Sequence, residues 1–97
     1  MSAVEQIRAG ICRIALLGEF DLSRRNELEE RFDSVPPEWA VVVDLHGVTY
    51  IDSTFLNVLA HLYRRRSEGA TVTLERANEQ IRHVLRLAGF DKLFVVS

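Results

Sequence analysis

Apolar positions divide the chain into segments of two kinds, strand-like and helical. Val4–Ile7 and Ile11–Leu17 are strand-like runs on either side of Ala9-Gly10, a pattern that predicts a hairpin. Gly18-Glu19-Phe20-Asp21 interrupts it. From Leu22 the chain is charged except at Leu28 and Phe32, whose spacing predicts a helix resting on a core by one narrow face, capped by Asp21 or Ser23. Pro36-Pro37 forbids its continuation. Ala40-Val41-Val42-Val43-Asp44-Leu45 then holds a short unbroken run of β-branched residues, which predicts a central strand buried on both faces and covered by helices.

The second half repeats the alternation. Phe55, Leu56, Val58, Leu59, Leu62 and Tyr63 give a strongly apolar helix, ending in Arg64-Arg65-Arg66 and Gly69 as the helix dipole and C-terminal geometry prefer. Thr71–Glu75 alternates like a strand, so strand, helix and strand in this order imply a right-handed unit with parallel strands. Ile81, Val84, Leu85 and Ala88 fall at helical spacing after Asn78, with Gly89 as a stop and Phe90 placed to fold back. Leu93–Val96 reads as a closing strand. The expected architecture is a single α/β domain over residues 1–97, a mixed sheet of about five strands with three or four helices.

Composition narrows the function classes. A net charge of −2 offers no broad attraction to nucleic acid or to an anionic membrane. No apolar run approaches the roughly 20 residues of a membrane span, and the N-terminus is too polar for a signal peptide. Cys12, the only cysteine, suits a reducing cytoplasmic setting and is expected to be a buried, inert thiol. Phosphate-binding glycine loops are absent, and His46, His61 and His83 lack the spacing of metal ligands. Neither a cofactor nor a metal is expected. The arginine cluster reads as a solvated helix end.

One stretch carries surplus chemistry. Thr49-Tyr50-Ile51-Asp52-Ser53-Thr54-Phe55-Leu56-Asn57 places a carboxylate and two hydroxyls at the mouth of the apolar helix, where one cap would suffice. With Asp52 as the N-cap, Ser53 is expected to stand exposed at a helix start, on the carboxyl edge of a parallel strand where open α/β sheets gather their sites. No Gly-x-Ser-x-Gly elbow surrounds it and no base is in evidence, so the chain is not expected to be an enzyme. A phosphate there would bring about −1.5 to −2 charges to exposed N–H groups and the positive dipole end. The fold should tolerate it, while a bound partner would meet a surface of altered charge.

Several blocks in order resemble the STAS domains, and among them the small bacterial anti-sigma factor antagonists. These are Gly18-Glu19-Phe20-Asp21-Leu22, Val41-Val42-Val43-Asp44-Leu45, Ile51-Asp52-Ser53-Thr54, Gly69-Ala70-Thr71-Val72 and Val84 through Phe94. The resemblance implies partner switching: binding to an anti-sigma factor that is also a serine kinase, release of a sigma factor, phosphorylation at Ser53, and reset by a serine phosphatase. It implies that Asp52 shapes the acceptor loop and that Asp21 lies near the partner surface, alongside Thr54, Phe55 and Asn57. The family usually has glycine where this chain has Phe55 and Asn57. An alternative is therefore an adaptor or regulatory subunit of the same fold that is not phosphorylated and uses the surface around Phe55.

Overall fold

The computed structural model describes residues 3–8 and 10–97, with side chains described from Gly10 onward. The elements are β1 (Ala3–Arg8), β2 (Ile11–Phe20), α1 (Arg25–Asp33), β3 (Ala40–Ile51), α2 (Ser53–Arg64), β4 (Val72–Glu75), α3 (Glu79–Leu87) and β5 (Val95–Val96). β1 pairs antiparallel with β2, and β2, β3, β4 and β5 then lie side by side in that order, all parallel. The chain thus adopts the α/β class that its element order implies. Ala9, in the expected hairpin turn, lies outside the described residues, while Gly10 beside it has φ +77°.

Parallel strands laid down in one direction, each joined to the next by a right-handed crossover, put all the connecting helices on the same side of a sheet. Burial follows that rule. Cys12, Ile14 and Leu16 of β2, Val41, Val43 and Leu45 of β3, and Val72 and Leu74 of β4 share one core with Leu28 and Phe32 of α1, Leu59 and Leu62 of α2, and Ile81 and Leu85 of α3. The intervening strand residues face the other side, where Arg13, Val42 and Thr73 form one row and Ala15, Asp44 and Glu75 the next.

This corrects the reading of Ala40–Leu45 as buried on both faces. Val42 is only half-buried. Asp44, 5% exposed, is covered by side chains rather than by a helix. The Arg13 guanidinium donates to it at 3.1 Å, Arg76 donates through Nε at 3.2 Å and again through its terminal nitrogen, and the His46 N–H donates at 3.0 Å. Arg13 also pairs with Glu75. A buried carboxylate persists only when it is paired in this way. A run of valines in sequence therefore concealed a strand with one dry face and one charged one.

Four further boundaries differ from the sequence pattern. β3 runs on to Ile51 and β2 to Phe20, because register shifts after Ala15 and Gly18 let the two strands stay paired through Glu19-Phe20 and Tyr50-Ile51. The segment after Asp21 begins as a 3-10 turn over Leu22–Arg24 before α1. The closing strand shrinks to Val95–Val96, since Phe90–Lys92 forms another 3-10 turn, and Phe90 packs on Phe94 with ring centroids 5.0 Å apart. Gly89 at φ +79° takes the left-handed conformation that ends α3. The arginine cluster is not uniformly solvated either. Arg66 folds back and donates to the carbonyls of Leu62, Pro36 and Trp39, tying the Pro36-Pro37 loop to the end of α2.

Burial works to raise the Asp44 pKa, but the hydrogen bond from Arg76, the His46 N–H and the charges of Arg76 and Arg13 prevail and hold it below the ordinary 3.8. A depressed folded-state value contributes stability that is present above the unfolded value and is lost as pH falls through the folded one. Asp44→Asn should cost about 2 kcal/mol at neutral pH. In urea titrations at a series of pH values, its deficit against the parent chain should shrink as pH falls below the ordinary carboxylate range. A deficit that stays constant with pH would rule out the charged network as its source.

Candidate functional site

The site is set by where two strands stop. Phe20 and Ile51 are register partners at the carboxyl ends of β2 and β3, so the next residues, Asp21 and Asp52, leave the sheet side by side. Both take the extended conformation of a helix N-cap, with φ −119° and −133°. Asp21 Oδ1 accepts from the Ser23 N–H at 2.9 Å and from its hydroxyl at 2.5 Å. Those two bonds, the hydroxyl's first, hold its carboxyl below the usual range. Asp52 Oδ1 accepts from the N–H of Thr54 at 2.9 Å and of Phe55 at 3.2 Å.

This division of labour accounts for the surplus at Asp52-Ser53-Thr54. Asp52 alone caps α2, so Ser53, the first helical residue, stands exposed with its hydroxyl outside the cap. Thr54 is half-buried, Asn57 is exposed one turn further on, and Asp21 is half-buried across the gap.

Phe55 is the exception among the expected partner-surface residues. It is 1% exposed and packs against Phe20, ring centroids 5.4 Å apart. It is therefore a core residue beneath the rim and not a surface anchor. The reason lies in helical spacing: Phe55 shares its face with Leu59 and Leu62, both buried against the sheet. The run Phe55 to Tyr63 already carried that signal, and the extra bulk relative to glycine fills space under the strand ends.

Arg24 is the residue that sequence reasoning missed. Beyond Leu16, the partner of Ala3, backbone carbonyls of β2 still need donors. Arg24 Nη1 serves two of them, donating to the carbonyls of Leu17 at 2.8 Å and Glu19 at 2.9 Å. Its guanidinium lies 3.9 Å from the centroid of the Phe20 ring and pairs with Glu27. Gly18, at φ +89°, passes close beneath it, and a Cβ there would come within 3.3 Å of Nη1. Arg24 thus clamps the end of β2, Phe20 and the Asp21 turn together. Only its three-residue spacing from Glu27 hinted at a role in the sequence. Leu22 stands 67% exposed on the same rim.

Beyond Ser53, the outer face of α2 continues through Asn57, His61 and Arg64. With Arg25, Glu29 and Asp33 of α1 these residues line a shallow groove of about 370 Å³. Among the described residues no group of three or more His, Cys, Asp or Glu side chains is placed to hold a metal ion. No helix among them is long and apolar enough to cross a membrane.

Among the described residues the fold is a sheet of four parallel strands edged by one antiparallel strand, with an exposed serine at a helix start on its carboxyl rim. The family model described as "Mlab, STAS domain" matches residues 4–96, and the chain belongs to the STAS-domain family, a class of non-catalytic regulatory adaptors. A STAS-domain containing protein of Pseudomonas aeruginosa strain UCBPP-PA14 is 30% identical over 88 residues, which are 87% of this chain and 85% of that one. The crystal structure of an anti-sigma factor antagonist from Mycobacterium paratuberculosis superposes with a TM-score of 0.85 at 25% identity, over 98% of this chain and 83% of that one. The phosphorylated form of the Bacillus cell fate determinant SpoIIAA gives a TM-score of 0.74 at 12% identity, over 99% and 91% of the two chains.

Phe55→Ala should cost about 3–5 kcal/mol, as for other fully buried aromatic rings. Thermal unfolding would show this as a large drop in Tm with no partner present. An unchanged Tm would return Phe55 to the surface. Asp52→Ala should cost about 1 kcal/mol and Asp52→Asn only a fraction of that, because the amide oxygen still accepts from the first turn.

Proposed function

We propose that this chain is an anti-sigma factor antagonist that works by partner switching in the bacterial cytoplasm. Unphosphorylated, it binds an anti-sigma factor that is also a serine kinase and so frees a sigma factor. Phosphorylated at Ser53, it lets that partner go, and a serine phosphatase resets it. The observation that carries this reading is the exposed Ser53 hydroxyl at the first position of α2, left over from a cap that Asp52 completes alone.

The physics favours a switch in binding over a switch in folding. A phosphate on Ser53 meets the positive end of the α2 dipole, so the helix start accommodates the charge. Asp52 and Asp21 stand beside it, and the rim becomes strongly anionic. Like charges brought together across an interface cost several kcal/mol, enough to release a companion. Asp21, Asp52, Thr54 and Asn57 would form the partner contact. Two proteins of this fold lend support, one described as an anti-sigma factor antagonist and the other as a phosphorylated form.

A second reading rests on Phe55 and Asn57 standing where the family usually has glycine. The chain would then be an adaptor or regulatory subunit that is never phosphorylated, and with Phe55 buried its contact surface would centre on Thr54 and Asn57.

Incubation with a cognate anti-sigma serine kinase and ATP should add one phosphate, which mass spectrometry places on the peptide holding Ser53 and which Ser53→Ala abolishes. Ser53→Asp should weaken binding of that kinase about tenfold or more, in line with a penalty above 1.4 kcal/mol. An active kinase that transfers nothing, while binding Ser53→Ala and the parent chain equally, would favour the adaptor.

A further inference from the structure

A sheet of parallel strands is ordinarily covered on both sides, because its strands carry apolar side chains up and down. Here α1, α2 and α3 pack on one side, and among the described residues no helix lies on the other. Ile11, Ala15 and Leu17 run up that open face on β2, and Val42, Thr73 and Val95 cross it from β3 to β5. Ile11, Leu17 and Val95 are 45%, 49% and 53% exposed, and Leu17 lies flat across Gly47, where any side chain would collide with it. Isolated apolar side chains on a surface carry no meaning, but three half-exposed ones on a single flat face form a patch.

The polar groups in the middle of this face are paired among themselves. Arg13 bridges Asp44 and Glu75, and Arg76 pairs with Asp44 as well. Two cations meet two anions, so the middle of the face has no net charge and can lose water without stranding an ion. That balance decides the occupant. A charged partner would find nothing unpaired to meet there, whereas a two-fold axis sets a surface against its own copy and requires one that does not repel itself. Area agrees. The molecule measures 31 × 30 Å across its broad sides and 19 Å in depth, which is one sheet and one layer of helices. The open broad side therefore offers on the order of the 800 Å² per partner that a stable dimer uses.

We propose that the open face is the contact between two copies of this chain, packed sheet against sheet about a two-fold axis. The rim that carries Ser53 lies at the carboxyl ends of the strands, and the helices lie on the far side, so both serines stay open in such a pair. The dimer displays two rims at once, and a partner with two matching sites gains from both. This contact is independent of the partner-switching reading, which needs only one rim.

Sedimentation equilibrium of the full chain reads the mass directly. At about 50 μM the parent chain should run at twice its 11.1 kDa, since contacts of this size bind in the micromolar range or tighter. Added salt should leave the dimer intact, because no net charge holds it together. Ile11→Lys and Val95→Lys each put an unpaired cation into the contact and should weaken it about tenfold or more. Leu87→Lys on α3, at a more exposed apolar position off the face, should not. In the parent chain the amide shifts of Arg13, Val42 and Thr73 should move with protein concentration and those of Ser53 and Asn57 should not, which keeps the test decisive if a variant fails to fold. A parent chain that stays at 11.1 kDa would overturn the assignment and leave the face to a different protein. So would a dimer that ignores both face variants, or one that Leu87→Lys dissolves. The phosphate on Ser53 is scored by mass in each variant, so loss of the dimer and loss of phosphorylation are separate results.

Discussion

The rim of this domain depends on the pairing of Phe20 with Ile51. Two parallel strands that stop in register deliver two aspartates to the same edge, each at the start of a helical turn. Beneath them Phe20 and Phe55 pack together, so the floor of the site belongs to the core. Every rim residue above that floor inherits its position from backbone pairing and aromatic packing. A serine side chain has one rotatable bond before its oxygen, and little else could hold it so reproducibly.

Much of this was legible in the sequence. The order of strand and helix patterns fixes parallel neighbours, and parallel neighbours place a site at their carboxyl edge. Asp52-Ser53-Thr54 before an apolar helical run announces a cap, and the hydroxyl beyond the cap is a local inference that needs no tertiary information. Asp21 follows by the same logic.

What escaped is what depends on through-space partners. The strand at Val41–Leu45 reads as buried on both faces, yet Asp44 faces a sheet surface with no helix on it and is covered by Arg13 and Arg76, distant in sequence. Phe55 was drawn to the surface by its place in a family motif, against the helical spacing that buries it with Leu59 and Leu62. Arg24 serves the carbonyls of Leu17 and Glu19, seven and five residues before it, through a turn of the backbone that no local pattern encodes. Strand ends stretched for a similar reason: register shifts preserve pairing beyond the point where the apolar pattern fades.

The outer carbonyls of Leu17 and Glu19 have a consequence of their own. A strand whose outer carbonyls face solvent is a template on which a second chain can add a strand, and proteins commonly guard such edges with charge. One arginine here occupies both acceptors while its positive charge stands over the gap. The same side chain that shapes the rim's backbone therefore also occupies two of the acceptors on which an added strand would start.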